Sequence, residues 1–271
     1  MQSKKIEDVP ITNQGGDLGE IANAVMQTHS LNNNKVLNKS LLPSKGLYYP
    51  ENITYKKLTT IDIKNLSTMT SENMNGVMNG ILSRCIDGVN VNDILLGDKM
   101  WFIFFLRCET YNDIPTPIKY KCPECEKSGI YQMRFSDMTV DYLNEDFKLE
   151  YELYNGDIVK LAYPTIANEI QCNMILKEPE KYSIEPIDEQ ILDIAPYIKE
   201  INGKKISLMK SYEYIKGMDG ITWSDFGNYM ADNSFGVRTY VKIKCDCGNT
   251  IEAPLSFGSD YFMPKIKREK K

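Results

Sequence analysis

Residues 118–132, IKYKCPECEKSGIYQ, place two thiols, Cys122 and Cys125, three positions apart, with Pro123 between them and extended-looking segments on both sides. This is half of a metal site. The other half is read at residues 241–248, VKIKCDCG, which supply Cys245 and Cys247. The two texts repeat one plan: IKYKCPEC runs into GIYQMRFSDM, and VKIKCDCG into TIEAPLSFGSDY, each a strand, a thiol-bearing turn and a strand. Four cysteines on two hairpin tips match the all-thiolate tetrahedron of a zinc ribbon, where sulfur binds zinc at about 2.3 Å. Gly248 suits the left-handed backbone of such a turn, and Pro123 stiffens the first tip.

The second pair is spaced CxC, not CxxC. Residues i and i+2 of a straight strand face the same way, so both sulfurs can aim at one ion if the pair also turns toward Cys122 and Cys125. Cys108 is the substitute if one of the four is not a ligand, and four unmetallated thiols are the plain alternative. Four thiolates leave no open position for water, so the expected zinc is structural and not catalytic. It would close the long stretch between Cys125 and Cys245 into an inserted module. Such a site does not exist in the unfolded chain, so its binding energy, on the order of 10 kcal/mol, becomes folding energy.

The rest of the composition narrows the function. Hydrophobic residues at 42% and charged residues at 25% fit an ordinary globular chain, not a disordered or fibrous one. A net charge of −5 gives nucleic acid no general support, although KIKREKK at residues 265–271 is a local basic run. No signal peptide is read in MQSKKIEDVPITNQGGDLGE, so a cytosol is the expected site of synthesis. The most apolar run, MWFIFFL at 100–106, is far short of the ~20 residues of a membrane helix and is read as core. Seven cysteines, an odd number, in a reducing compartment favour metal over disulfides.

Residues 1–40 are read as a flexible arm with one short amphipathic helix carrying Leu18, Ile21 and Val25, either packed on its own domain or docking on a partner. His29, the single histidine, is read as incidental. Residues 41–117 form an α+β half. LLPSKGLYYP bends at Pro43, Ser44 and Gly46, and Ile53, Tyr55 and Leu58 alternate like a strand. Thr60 or Asp62 then caps a short helix. Met74, Val77, Met78, Ile81, Leu82, Cys85 and Ile86 follow helical spacing, and Asp98 is the expected N-cap of the next helix. The zinc-ribbon-like hairpins are placed at 118–136 and 237–258. Between them, 137–236 is a mostly helical insert that begins with a hairpin at Asn155-Gly156 and includes EQILDIAPYIKEI as a broken helix. Cys85 and Cys172 fall on apolar faces and read as core filler. The expected class is α+β.

The order of blocks LLPSKGLYYP, LTTIDIKNL, ILSRCI, DILLGDKMWFIFFLR and YKCPEC resembles the baseplate-hub family of T-even-type, contractile-tailed bacteriophages. The likeness covers roughly residues 41–147 well and the terminal knuckle less well. It implies a non-enzymatic part in building the hub, as an assembly factor or a resident subunit, with other tail baseplate or hub proteins as partners. It places the chain in the host bacterial cytoplasm during assembly, or in the virion tail. The family usually carries CxxC in both knuckles, and CDCG departs from that. The residues agree on the negative side: no GxxxxGK, GxSxG or HExxH pattern is present, which leaves no small-molecule or catalytic site to name. Candidate partner contacts are Leu18, Ile21 and Val25 in the arm and Tyr48 and Tyr49 on the LPSKGLYYP turn, where aromatic side chains serve equally as interface anchors or as cover for a core edge. The competing function is a zinc-ribbon nucleic-acid-binding regulator using Lys119, Lys121, Lys127, Lys242 and Lys244. Lysines on strand edges also guard against unwanted pairing.

Overall fold

Between Leu37 and Leu58 the apolar positions are interrupted by Pro43, Gly46 and Pro50, which leaves room only for short strands. The structure, a computed structural model, describes residues 34–185, 189–255 and 259–264. Its first sheet is antiparallel, with β1 (Lys35–Val36), β2 (Thr54–Tyr55) and β3 (Ile86–Asp87) in that order. Helix α1 (Thr60–Ser67) begins before both expected caps, Thr60 and Asp62. Thr59 is its N-cap, and Asp62, at the third helical position, accepts from the Thr59 amide at 2.9 Å and its hydroxyl at 2.6 Å. Arg84 reaches the same carboxylate from the last turn of α2 (Met74–Cys85), at 2.9 Å from its Nε. Burial acts to raise the Asp62 pKa, but the bonds from Thr59 and Arg84 prevail and lower it.

Helix α3 (Leu96–Tyr111) carries the apolar run and buries Trp101, Phe102, Ile103, Phe104 and Leu106. An apolar surface on all sides has to be enclosed, which makes α3 the spine of the first core. Asp98 does not cap it. The helix starts two residues before Asp98 because the Leu96 amide is satisfied by the Pro164 carbonyl at 3.0 Å, and Ile94 accepts from the Ile166 amide at 2.9 Å. Asp98 is instead turned inward, where it accepts from the Ser44 amide and from the Tyr49 hydroxyl, both at 2.8 Å. Burial raises its pKa. The Tyr49 oxygen in turn accepts from the Leu95 amide at 2.9 Å. Gly97 permits the approach of Phe235: a Cβ there would lie 2.8 Å from the Phe235 carbonyl oxygen.

The two long hairpins follow from alternation. β4 (Thr116–Lys121) and β5 (Ser128–Met133) pair antiparallel in a two-stranded sheet. Between them and the second such hairpin lie β6 (Val140–Asp141) and a four-stranded antiparallel sheet. That sheet contains β7 (Glu150–Glu152), β8 (Ile158–Leu161), β9 (Ile198–Ile201) and β10 (Lys204–Lys205), ordered β10-β9-β8-β7. The expected Asn155-Gly156 turn joins β7 to β8, with Gly156 at φ +88°. The helices of this stretch are α4 (Ile166–Lys177), α5 (Pro179–Tyr182), α6 (Glu189–Ile194), α7 (Leu208–Lys216) and α8 (Gly220–Asp232). IKEI, expected to be helical, is instead β9. Pro196 cannot continue the amide ladder of α6, and Ile201 finds Val159 across the sheet.

These elements enclose a second core, built from residues including Leu161, Cys172, Leu192, Ile198, Tyr212 and Phe226. An aromatic row joins it to the first: Tyr151 stacks on Tyr229 at 3.8 Å, Tyr229 on Phe147 at 5.2 Å, and Phe147 meets Tyr163 at 5.4 Å. A buried ion pair adds to the joint, with Lys99 of α3 donating to Glu169 of α4 at 2.7 and 2.8 Å. β11 (Gly236–Val237) pairs with β6, and the chain returns as β12 (Tyr240–Lys244) and β13 (Thr250–Pro254), followed by α9 (Ser259–Phe262). The architecture is α+β, with several small antiparallel sheets.

Candidate metal centre

Hydrogen bonding shapes each hairpin tip before any ion is considered. The Cys122 amide donates to the Lys127 carbonyl at 2.8 Å, extending the β4–β5 ladder by one pair. The chain then turns through Pro123, Glu124 and Cys125, and the Glu126 amide returns to the Cys122 carbonyl at 3.0 Å, with Glu126 at φ +59°. At the other tip the Cys245 amide donates to Asn249 and the Gly248 amide to Cys245, both at 2.9 Å, with Gly248 at φ +92°. Cys247 therefore sits in the turn, not on a straight strand. That is how a CxC pair points both sulfurs the same way.

Inner faces and clamps bring the tips together. Ile118, Val241, Ile243, Ile251 and Ala253 are buried in the first core, and β13 lies against β4. Arg107, buried in the last turns of α3, donates from Nε to the Tyr261 carbonyl at 2.7 Å and from Nη2 to Thr116 Oγ1 at 2.9 Å. One guanidinium so ties the start of β4 to the segment after β13. Its planar fork of donors suits this task, which a lysine would not perform.

The result is a cluster in which the sulfurs of Cys122, Cys125, Cys245 and Cys247 all lie within 4.8 Å of one another. Across the hairpins, Cys122 lies 3.6 Å from Cys247 and Cys125 lies 3.6 Å from Cys245. A tetrahedron with metal–sulfur bonds of about 2.3 Å has sulfur–sulfur edges of about 3.8 Å, so the cluster has the dimensions of a four-thiolate site. None of the four is in a disulfide. Cys122 and Cys245 are buried, Cys125 is half-buried and Cys247 is exposed.

The electrostatics of the tip are uneven. The Cys125 amide, assisted by the Glu124 amide and the Asn249 side chain at 3.7 Å, pulls the Cys122 thiol down to about 6 against its loss of water. The Asn249 amide acts in the same sense on Cys247, but sharing protons with Cys245, Cys125 and Cys122 pushes that thiol up to about 12. Four sulfurs this close do not ionise together unaided, and a dication between them is what would let all four do so.

The remaining thiols lie apart from the cluster. Burial raises Cys85 to about 12, Cys108 to about 11 and Cys172 to about 11, with nearby carboxylates adding to each. Cys108 is not among the clustered cysteines. The tyrosine pair splits: Tyr48 is 51% exposed, whereas Tyr49 is 6% exposed and bonded to Asp98. Of the two readings left open for this turn, Tyr49 takes that of a core edge, its hydroxyl serving the buried carboxylate. Leu18, Ile21, Val25, His29 and KIKREKK lie outside the described residues. Arg107 and Asn249 escaped the sequence reading. The one signal for Arg107 was a lone charge ending an apolar helical run.

The site and its scaffold can be set beside known proteins. A family model described as T4 bacteriophage base plate protein matches residues 34–263, a span that includes all four clustered cysteines and both cores. No curated protein and no solved structure matches the chain.

Proposed function

This chain belongs to the T4 bacteriophage base plate protein family, and from that premise we propose that it is a hub subunit or hub assembly factor of the phage tail, held in shape by structural zinc. The family supports a structural part in the virion tail and contacts with other baseplate proteins. The hub assignment is the finer reading, drawn from the block order LLPSKGLYYP through YKCPEC. In this reading the chain is made in the host cytoplasm, catalyses no reaction and acts through its surfaces, including Tyr48 and the arm bearing Leu18, Ile21 and Val25.

The observation that carries the zinc reading is the four-sulfur cluster, all within 4.8 Å. Cys122, Cys125, Cys245 and Cys247 would hold the ion, which supplies a fixed tetrahedral cross-link and no reactive water. The two hairpins would thereby be clasped, which adds a cross-link to residues 137–236, a stretch that the aromatic row and the Lys99–Glu169 pair already join to the first core. Among the described residues no helix is long and apolar enough to cross a membrane.

Co-expression with the other baseplate hub proteins tests the assembly reading. The expected result is a complex that copurifies at fixed stoichiometry, and detection in finished particles then separates a subunit from a chaperone. A chain that purifies alone from every such mixture overturns it.

A further inference from the structure

The first hairpin has an edge unlike the other edges of the pair. Antiparallel strands alternate between residues that exchange hydrogen bonds and residues whose amides and carbonyls point away from the partner strand. The Cys122 to Lys127 bond sets the phase, and with the register Lys119↔Ile130 it leaves Ser128, Ile130 and Gln132 of β5 pointing outward. By the same rule β4 turns out Pro117, Lys119 and Lys121. The Cys245 to Asn249 bond makes Tyr240, Lys242 and Lys244 the outward set of β12, and Thr250, Glu252 and Pro254 that of β13.

Natural sheets protect open edges with lysine, other charges or proline. Three of these four edges carry such residues, and β5 carries none. Its outward residues are all exposed, Ile130 to 60%, and none of their backbone groups meets a backbone partner outside the hairpin among the described residues. A shallow hollow runs beside them, lined by Lys119, Tyr120, Lys121, Ser128, Gly129 and Ile130.

Charge indicates what fits there. Among the described residues Lys119, Lys121 and Lys127 enter no ion pair, whereas Lys242 on the second hairpin faces Glu252 at 3.9 Å. Lys119 and Lys121 share the exposed face with Ile130 and stand one strand away from the open edge, within reach of a carboxylate on an added strand. A free lysine group in a chain of net charge −5 is a local exception that an acidic partner would balance. Phosphates would also satisfy lysines. Tyr120 also lines the hollow, but its ring lies over Gly129 of its own hairpin, while a row of unpaired amides fits another strand.

We propose that the β5 edge of the first hairpin is a strand-addition site for an extended, acidic segment of a partner protein, whose alternate carboxylates fall on the exposed face beside Ile130 and reach Lys119 and Lys121. This deepens the assembly reading by stating how one partner is held. Its test uses the purified chain and synthetic probes, so it can fail while the hub assignment stands, and the reverse.

The full-length zinc-loaded chain is titrated with a capped peptide of four Val-Glu repeats, its Val-Lys counterpart, and single-stranded oligothymidylate, and amide exchange is read across β5. The Val-Glu peptide is expected to bind and to slow exchange at Ser128, Ile130 and Gln132. Ile130→Pro removes one outward amide without taking a bond from the hairpin and should weaken binding at least about tenfold. Ile130→Val should bind as the parent does. Should Ile130→Pro lose its zinc or its melting transition, Gln132→Pro makes the same cut two residues further along. Equal binding of the Val-Lys peptide, indifference to both proline variants, or binding of the oligonucleotide alone overturns the proposal.

Discussion

Replacing Cys122 with serine is expected to abolish zinc binding and to destabilise the chain by several kcal/mol, with Cys247→Ser doing nearly the same. The pairing of variants matters because the two side chains differ in surroundings. Cys122 is fully buried and accepts from Asn249, so its loss also disturbs packing. Cys247 is exposed. A surface substitution without a special role changes stability by about 0.5 kcal/mol or less. If the four sulfurs hold an ion, Cys247→Ser instead removes a share of a binding energy on the order of 10 kcal/mol, a large part of the roughly 5–15 kcal/mol that holds a domain together. The inner faces of both hairpins remain in the first core through Ile118, Val241 and Ile243, so loosening is expected to start at the tips. Urea unfolding with and without a chelator, alongside zinc content, checks this. Cys247→Ser of parental stability would mean that the thiols are only neighbours.

Asp98→Ala is expected to cost about 2–5 kcal/mol. The carboxylate is the acceptor for the buried Ser44 amide and the Tyr49 hydroxyl, and an alanine leaves both donors unsatisfied at about 1–3 kcal/mol each. The residues affected are those of the LPSKGLYYP turn, so the turn should lose its seat on α3, and amide exchange at Ser44 should accelerate with the drop in melting temperature. Asp98→Asn keeps the shape and one carbonyl acceptor and should cost less. A neutral Asp98→Ala would show that the turn is held by Tyr49 packing on Phe102 alone, at 6.3 Å between ring centres.

What the sequence disclosed follows from which forces are local. The thiol pairs were legible because a tetrahedral soft-metal site needs sulfur and little else, and because strands alternate visibly on both sides of each pair. The helix over Met74–Cys85 was legible from its apolar spacing, and the β7–β8 turn from Asn155-Gly156, where glycine supplies the positive φ. Asp98 was misread because capping is the local use of an aspartate near a helix start, while its actual partners, Ser44 and Tyr49, are about fifty residues away in sequence. IKEI was misread because Ile198 and Ile201 stand three apart, as on a helix face, while the strand partner Val159 lies about forty residues away. The four clustered cysteines could be named from spacing, but the edge that distinguishes β5 emerged only once register and hydrogen-bond phase were fixed.

The central claim is that four remote sulfurs share one inert cation. X-ray absorption at the zinc edge on the purified chain tests it most directly: one zinc per chain with four sulfur neighbours at about 2.3 Å and no oxygen or nitrogen is the predicted shell. A mixed oxygen or nitrogen shell, or a folded chain that carries no zinc, would contradict it.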